Sequence, residues 1–350
     1  CENGFYDYHS IKIKDHGKKE GYGMLTLPQI IQFSSNIGIV KMIEDVGSKT
    51  LFTTSRDFGF GSKTGINLNG EITGKLYPFN EWSAVSLGQI AMGHEVGVTA
   101  IQLATAYCAI ANGGYLLKPR LIRQIINHNG EIIHSENTSV IRKVAEENTM
   151  KELRNMLRNV ITNGTGKKAD INGWKVAGKT GTAQKWDNGK YSNNQFISNF
   201  VGFFPYENPQ LLAFIMLDEP SPPFHWGSEG AAVAFKRVIQ RIINMDDNII
   251  PPLKNNKEKP IINQNSSSIL AANAILDIDN ELPLGLSTVA RYSNKTRVPE
   301  IRGLSIRKAV NILEDVGLKF KLRGSGKVSW QSPKPGSIVN KGTICMVGLE

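Results

Sequence analysis

Apolar residues recur every three or four positions along three stretches in the first half of the chain. The first stretch begins at Thr26, which has a proline in the following turn and a glutamine three residues later, the spacing of a helix N-terminus. It continues past the Ser-Ser-Asn triplet at 34–36. Two further helices are predicted after Thr99 and over about 147–161. Residues 24–170 are therefore predicted to be mostly helical, with the triplet at a junction between two helices.

The periodicity changes after this helical part. Residues 174–184 are predicted to form a strand that contains glycines, and residues 196–204 and 211–217 two more, separated by a turn rich in proline and asparagine. A helix over about 228–244 follows. Helices, an antiparallel sheet and a closing helix predict an α+β fold for residues 1–245.

The last hundred residues divide into a linker and a small unit. Residues 246–295 are predicted to be a linker, because 254–268 is rich in asparagine, lysine, proline and serine. Residues 296–350 are predicted to fold as a small α/β unit with a helix at about 305–316 and three strands. This unit has ten basic and four acidic side chains, a balance of +6. Such a charge suits an anionic partner, and a soluble face without a partner is the equal alternative.

Composition excludes several classes of protein. The chain has 350 residues, 40% of them hydrophobic and 21% charged, so it is a globular protein and not a disordered one. Its longest apolar run has seven residues, at 211–217, which is too short to cross a bilayer. Three cysteines and six histidines show neither a disulfide framework nor the spacing of metal ligands. We therefore expect no metal and no cofactor.

The segment Lys179-Thr180-Gly181-Thr182 carries the strongest chemical signal. The lysine supplies a positive charge, and Thr180 and Thr182 are two residues apart on a predicted strand, so both hydroxyls point to one face. Together these groups predict a receptor for a carboxylate. Gly181 is expected to let a bound peptide lie close to the strand. The alternative is an edge lysine that only keeps the strand soluble.

Two other short motifs need a choice between copies. Lys-Thr-Gly also occurs at 63–65, but in a glycine-rich turn without strand alternation, so the copy at 179 is preferred. Ser-x-Asn occurs at 34–36, 135–137 and 192–194. Only the first copy has a capped helix leading into it, so the hydroxyl of Ser34 and the amide of Asn36 are predicted to project into a cleft.

The order of these motifs resembles the penicillin-binding transpeptidase domain. Ser-x-Asn is followed 145 residues later by Lys-Thr-Gly-Thr, then by two strands and a closing helix. Connecting segments such as 86–89 and 102–114 resemble class B penicillin-binding proteins, and the resemblance covers about 1–245. Residues 296–350 resemble a PASTA domain, through Val298-Pro299 and the segment 331–336. The expected fold is an antiparallel sheet flanked by helices, here without its first strands.

The family's nucleophile lies in a Ser-x-x-Lys motif upstream of Ser-x-Asn, and no such motif precedes Ser34. The only match, Ser305 to Lys308, falls in the PASTA-like helix and is interpreted as a coincidence. We therefore expect the chain to be the C-terminal part of a longer protein. The missing part would hold the nucleophile and a membrane anchor, and the active site would lie on the extracytoplasmic (periplasmic) face of the cell membrane. The chain alone is expected to be inactive.

The resemblance implies a peptidoglycan D,D-transpeptidase, which joins stem peptides through a serine acyl-enzyme and is acylated by β-lactams. It implies that Ser34 relays a proton and that Asn36 binds the amide or a side chain of the substrate. Lys179 would stabilise the anionic intermediate and assist the proton relay. Thr180 and Thr182 would bind the terminal carboxylate, and the N–H of Thr182 would form half of the oxyanion hole. No nucleic-acid partner is expected.

Two other functions remain open, a non-catalytic penicillin-binding sensor and a serine β-lactamase. An upstream Ser-x-x-Lys would argue against the sensor, and the PASTA-like unit and class B segments argue against the hydrolase. Expected partners are an anionic cell-wall polymer at the basic unit and other division or wall-synthesis proteins. The single PASTA-like unit favours division or sporulation over elongation.

Overall fold

The computed structural model describes residues 1, 3–17, 20–245, 295–324 and 326–350. The chain divides into two compact units, the first formed mainly by Cys1–Ile243 and the second containing the described residues from Lys295 onward. The predicted linker lies outside the described residues, except for Lys295, which begins a strand. Within the described part, no helix has the length and apolar character that a membrane crossing requires.

Seven α-helices are described in the first unit. They are α1 (Leu27–Phe33), α2 (Asn36–Val46), α3 (Ser48–Asp57), α4 (Ser86–Met92), α5 (Ala100–Ala111), α6 (Glu147–Thr162) and α7 (Ala231–Met245). The predicted cap of α5 is confirmed, because the N–H of Gln102 donates to Thr99 Oγ1 at 3.2 Å and the N–H of Thr99 donates back to the Gln102 side chain at 2.9 Å.

Six short strands form three antiparallel pairs away from the main sheet. β1 (Phe5–Tyr8) pairs with β2 (Ile11–Lys14), β3 (Tyr115–Leu117) with β6 (Val140–Lys143), and β4 (Gln124–Ile126) with β5 (Ile132–Ser135). The prediction that residues 24–170 are mostly helical is wrong for β3–β6. These strands have three or four residues each and are largely exposed, so they leave little alternation of buried and exposed positions in the sequence.

The main sheet is antiparallel, with strand order β7-β8-β9. Its strands are β7 (Ala177–Asp187), β8 (Lys190–Phe204) and β9 (Leu211–Asp218), which confirms the three predicted strands. β7 begins three residues later, and β8 six residues earlier, than the pattern predicts. Among the described strands β7 pairs only with β8, so one of its edges faces the helices of the unit.

Both faces of this sheet are buried. Phe200 and Phe204 of β8 pack with Phe235 of α7 on one face. Phe203, which points the opposite way, packs with Leu157 of α6 on the other. All four aromatic side chains are fully buried, and each stabilises the fold by about 2–3 kcal/mol. Cover on both faces fixes the plane of the sheet and with it the path of β7.

The second unit has its own core. It contains β10 (Lys295–Arg297), α8 (Ile306–Asp315), β11 (Lys319–Gly324), β12 (Val328–Ser332), β13 (Ile338–Asn340) and β14 (Ile344–Leu349). In the sheet β11-β14-β12, β14 is parallel to β11 and antiparallel to β12. Ile301, Leu313 and Val347 are buried in its centre. The predicted helix and three strands are confirmed, whereas the pair β10–β13 was not predicted.

Candidate active site

The Ser-Ser-Asn triplet forms the predicted junction between two helices. Ser34 ends α1 in the left-handed conformation, with φ 56° and ψ 46°. Ser35 caps α2, and its Oγ accepts a hydrogen bond from the N–H of Gly38 at 2.9 Å. A positive φ is uncommon for a residue with a side chain and costs about 1 kcal/mol, so the surrounding contacts must hold Ser34 in place.

Those contacts come from the last residue of β2 and the residue that follows it. The Asp15 carboxylate accepts hydrogen bonds from the Ser35 hydroxyl at 2.7 Å and from the N–H of Ile37 at 3.0 Å. The amide of Asn36 donates to the carbonyl of Lys14 at 3.1 Å. Asp15 therefore supports the junction from a position 20 residues away, and no sequence motif had pointed to it.

Lys179 on β7 contacts this junction directly. Its Nζ donates to Ser34 Oγ at 2.8 Å and to the carbonyl of Thr180 at 3.0 Å. The Lys179 side chain keeps some solvent exposure, but the protein around its ammonium group desolvates the charge and lowers its pKa to about 8. A group with this pKa can carry positive charge or exchange a proton near neutral pH.

The two threonines of the motif each contact a different loop. Thr180 Oγ1 lies 2.7 Å from Thr165 Oγ1, in the turn between α6 and β7. Thr182 Oγ1 accepts a hydrogen bond from the N–H of Gly227 at 3.0 Å. Both hydroxyls lie on the part of β7 that also carries Lys179, so the structure brings together Ser34 and the Lys-Thr-Gly-Thr segment, which the sequence separates.

Packing against β8 favours glycine at 181, because a side chain there would displace the Asn199 side chain. A β-carbon there would lie 2.3 Å from Asn199 Oδ1, and a β-carbon on Gly227 would lie 2.4 Å from the Gly181 carbonyl oxygen. Neighbouring residues thus occupy the space that a side chain at 181 would need. That Gly181 also admits a bound peptide stays a prediction.

The second Lys-Thr-Gly copy has a different environment. It lies in a loop after α3, where the N–H and hydroxyl of Thr64 donate to one oxygen of the Glu71 carboxylate at 2.6 and 2.5 Å. The N–H of Gly65 donates to the other oxygen at 3.1 Å. These bonds, led by the one from the Thr64 hydroxyl, hold the pKa of Glu71 below its usual range.

The remaining Ser-x-Asn copies lie on strands. Ser135 ends β5, and Ser192 lies in β8, where its Oγ accepts hydrogen bonds from the N–H groups of Asn194 and Gln195. Across the described ranges, no three histidine, cysteine, aspartate or glutamate side chains come together as a metal site would require.

Comparison with known proteins defines the class to which this fold and site belong. Residues 2–240 match the family described as penicillin binding protein transpeptidase domain, and residues 296–344 match the PASTA domain. The chain belongs to the penicillin-binding protein transpeptidase family and carries a PASTA domain after it.

Two curated relatives illustrate the similarity. The chain is 31% identical to Stage V sporulation protein D of Bacillus subtilis over 333 residues, which is 95% of this chain and 47% of the relative. It is 33% identical to Penicillin-binding protein PbpB of Mycolicibacterium smegmatis over 210 residues, 57% of this chain and 32% of the relative. The chain thus spans about half of the first relative and about a third of the second.

Solved structures show the same architecture. Penicillin binding protein 3 from Mycobacterium tuberculosis, in complex with ampicillin, has a TM-score of 0.64 and 28% identity, covering 74% of this chain and 58% of that one. The transpeptidase domain of penicillin-binding protein 3 from Burkholderia pseudomallei has a TM-score of 0.63 and 27% identity, covering 72% of each chain. These likenesses confirm the fold predicted for the first unit.

Proposed function

We propose that the protein containing this chain is a peptidoglycan D,D-transpeptidase, which cross-links stem peptides through a serine acyl-enzyme and is acylated by β-lactams. The observation that carries the proposal is the hydrogen bond of 2.8 Å between Lys179 Nζ and Ser34 Oγ, beside two threonine hydroxyls on an edge strand. A lysine bonded to a serine, with two threonines one and three residues further along the same strand, can supply the proton transfer and carboxylate binding that the reaction needs.

Each residue of the cluster has a distinct proposed role. Ser34 passes a proton toward the leaving amine, and Asn36 binds the substrate amide. Lys179 lowers the cost of the anionic intermediate through its charge. Thr180 and Thr182 donate their hydroxyl protons to the terminal carboxylate, and the N–H of Thr182 forms half of the oxyanion hole. An edge strand suits this last role, because within the described part of the chain no strand pairs with the outer edge of β7.

The proposal assigns no nucleophile within these 350 residues. The single Ser-x-x-Lys, Ser305 to Lys308, lies in the second unit, where Ser305 is 1% exposed and caps α8. A buried helix cap is a poor nucleophile, because attack requires an exposed hydroxyl beside a base.

The location and partners follow from the proposed substrate. Peptidoglycan lies outside the cell membrane, so we place the active site on the extracytoplasmic face. Other division or wall-synthesis proteins are proposed as partners there. For the second unit we propose an anionic cell-wall polymer, supported by its charge of +6 over residues 296–350. Of the two expected roles, division and sporulation, the printed name of the Bacillus subtilis relative supports sporulation.

Acylation by a labelled penicillin tests the proposal. The chain is joined to an upstream segment that carries Ser-x-x-Lys, and adduct formation, adduct lifetime and release of D-alanine from a pentapeptide are measured. A long-lived adduct on the upstream serine, with cross-linked product, is expected. Rapid turnover of the adduct would instead identify a β-lactamase, and an adduct without product a sensor. The 350-residue chain alone, with or without Ser305→Ala, should show no adduct by intact-protein mass spectrometry.

A salt titration tests the polymer. Exposed Lys319 and Lys321 on β11 are changed to glutamate in the whole chain, and sedimentation with purified cell wall is compared with that of the unchanged chain. Binding of the unchanged chain should fall steeply with salt, because exposed charges are screened within about 8 Å at physiological ionic strength. Absence of binding at low salt, or equal binding by the variant, would contradict the proposed ligand.

A further inference from the structure

The turn between α6 and β7 contacts both sides of the candidate site. The N–H of Thr165 donates to the carbonyl of Gln32 at 3.3 Å, and the Gln32 side chain donates to the carbonyl of Asn163 at 3.3 Å. A β-carbon on Gly164 would lie 2.2 Å from the same Gln32 carbonyl oxygen. Gln32 precedes Ser34 by two residues, so the turn is fitted closely against the end of α1 that leads to the site.

The side chain of Thr165 points the other way, to β7. Its Oγ1 lies 2.7 Å from Thr180 Oγ1, so the two hydroxyls share one hydrogen bond. Thr165 therefore connects the helix that leads to Ser34 with the strand that carries Lys179. Among the described residues, the Thr180 hydroxyl forms its hydrogen bond with Thr165.

The direction of that bond decides what Thr180 can do. A hydroxyl has one proton to donate, and an ionised carboxylate only accepts. Thr180 can therefore serve a carboxylate only if its own proton is not already given to Thr165. That condition is met when Thr165 donates and Thr180 accepts.

We propose that Thr165 is a positioning residue, which donates its hydroxyl proton to Thr180 Oγ1 and so directs the Thr180 proton toward the terminal carboxylate of the substrate. The inference rests on the proposed function, because it needs a carboxylate beside β7. Thr165 acts through Thr180 and makes no contact of its own with the substrate. Its backbone bond to Gln32 holds the donor at a fixed place relative to both Ser34 and Thr180.

Three variants separate this role from a general contribution to folding. Thr165→Val keeps the shape and removes the donor, and Thr165→Ser keeps the donor. Thr162→Val is the matched control, since Thr162 is exposed and its hydroxyl bonds to the Arg158 carbonyl and the Asn163 amide, and among the described residues not to Thr180. Each change is made in the chain joined to an upstream Ser-x-x-Lys segment. Acylation rates are measured with a penicillin that has a free carboxylate and with its methyl ester.

Thr165→Val should slow acylation by the free acid about tenfold, the size expected for one hydrogen bond to a charged group, and by the ester less than about twofold. Thr165→Ser and Thr162→Val should stay within about twofold of the unchanged protein for both compounds. An equal loss for acid and ester would show a merely structural role and overturn the proposal. So would an unchanged rate for the acid.

A second measurement does not depend on acylation. Three-bond couplings to the methyl group of Thr180 report its side-chain rotamer in the 350-residue chain itself. One rotamer is expected in the unchanged chain and in Thr165→Ser, and a mixture in Thr165→Val. A single, unchanged rotamer in Thr165→Val overturns the positioning role. If the unchanged protein reacts with neither penicillin, the proposed function fails, and the rotamers still decide whether Thr165 orients Thr180.

Discussion

Lys-Thr-Gly occurs twice in the first unit, and the two copies are surrounded differently. At 63–65 the motif lies in a loop, and its hydroxyl and N–H groups bind the Glu71 carboxylate. At 179–181 it lies on an edge strand opposite Ser34, and no carboxylate of the described residues bonds to its side chains. The loop copy shows that Thr-Gly can hold a carboxylate. The strand copy is a candidate receptor for two reasons. No carboxylate of the described residues occupies its donors, and the junction between α1 and α2, which carries Ser34, lies opposite them.

The two copies also differ in how their charged groups are perturbed. Hydrogen bonds lower the pKa of Glu71, so its charge is stabilised where it lies. Burial lowers the pKa of Lys179 to about 8, so its charge is destabilised until an anion arrives. At the loop copy a carboxylate of the chain already accepts the hydrogen bonds of Thr64 and Gly65, whereas at the strand copy we propose that the carboxylate comes from the substrate.

The largest expected effect is on acylation. In the chain joined to an upstream Ser-x-x-Lys segment, Lys179→Ala should slow acylation by a β-lactam about 10²–10³-fold, because it removes a group that stabilises the developing negative charge. Lys63→Ala should change the rate by less than about twofold. Equal losses in the two variants would contradict the choice of the copy at 179 over the copy at 63.

The second effect is a pH dependence of stability. The pKa of Lys179 is about 8 in the folded chain against 10.5 for a free lysine, so burial penalises the protonated form. Below pH 8 both states are protonated and the folded state carries the whole penalty. Between pH 8 and 10.5 the folded state loses the proton first, so the penalty fades, and above 10.5 it is absent.

Lys179→Met removes this penalty at every pH. The free energy of unfolding of the variant minus that of the unchanged chain should therefore decrease as pH rises from 8 to 10.5. The decrease should be at most about 3 kcal/mol, and less because the side chain keeps some contact with water. Urea unfolding at several pH values, with Lys63→Met as the control, measures it. A difference that does not vary with pH would contradict the lowered pKa of Lys179.

The third effect concerns the junction between α1 and α2, which lies opposite the strand copy and carries Ser34. Asp15→Ala removes the acceptor for Ser35 and Ile37 and loosens the turn that presents Ser34. Acylation should slow about tenfold, the cost of leaving one such donor without a partner. Asp7→Ala is the control, because Asp7 is exposed and forms a long ion pair of 3.8 Å with Lys12. A normal rate in Asp15→Ala would show that Ser34 holds its conformation unaided.

The smallest effect belongs to the loop copy. Glu71→Gln should lower the free energy of unfolding by about 1 kcal/mol at neutral pH, because charge-assisted bonds to Thr64 and Gly65 become neutral ones. The pKa of Glu71 is lower in the folded chain, so its stabilising contribution is present at pH above 4.5 and is lost as pH falls below that value. Urea unfolding should show that the variant and the unchanged chain differ less in free energy of unfolding at pH 3 than at pH 7. The rate of acylation should be the same for both.

Local signals predicted much of the fold, and contacts between distant segments account for what was missed. The cap at Thr99, the junction at 34–36 and the strands β7–β9 follow from capping residues and periodicity. The short pairs β3–β6 and β4–β5 do not, because exposed strands need no regular apolar pattern. Nothing local marked Asp15 or Thr165 as supports of the site, since each acts through a partner at least 15 residues away.

The close approach of Gly227 to β7 has a consequence for how this site can evolve. A β-carbon at 227 would lie 2.4 Å from the carbonyl oxygen of Gly181 and 2.7 Å from that of Asn199, both of them backbone atoms that cannot rotate aside. Every codon change away from glycine adds at least that one carbon. Replacement of Gly227 in a single step is therefore expected to require a shift of the β7 or β8 backbone. Inherited changes in the site are expected instead at positions where an added side chain meets no backbone atom.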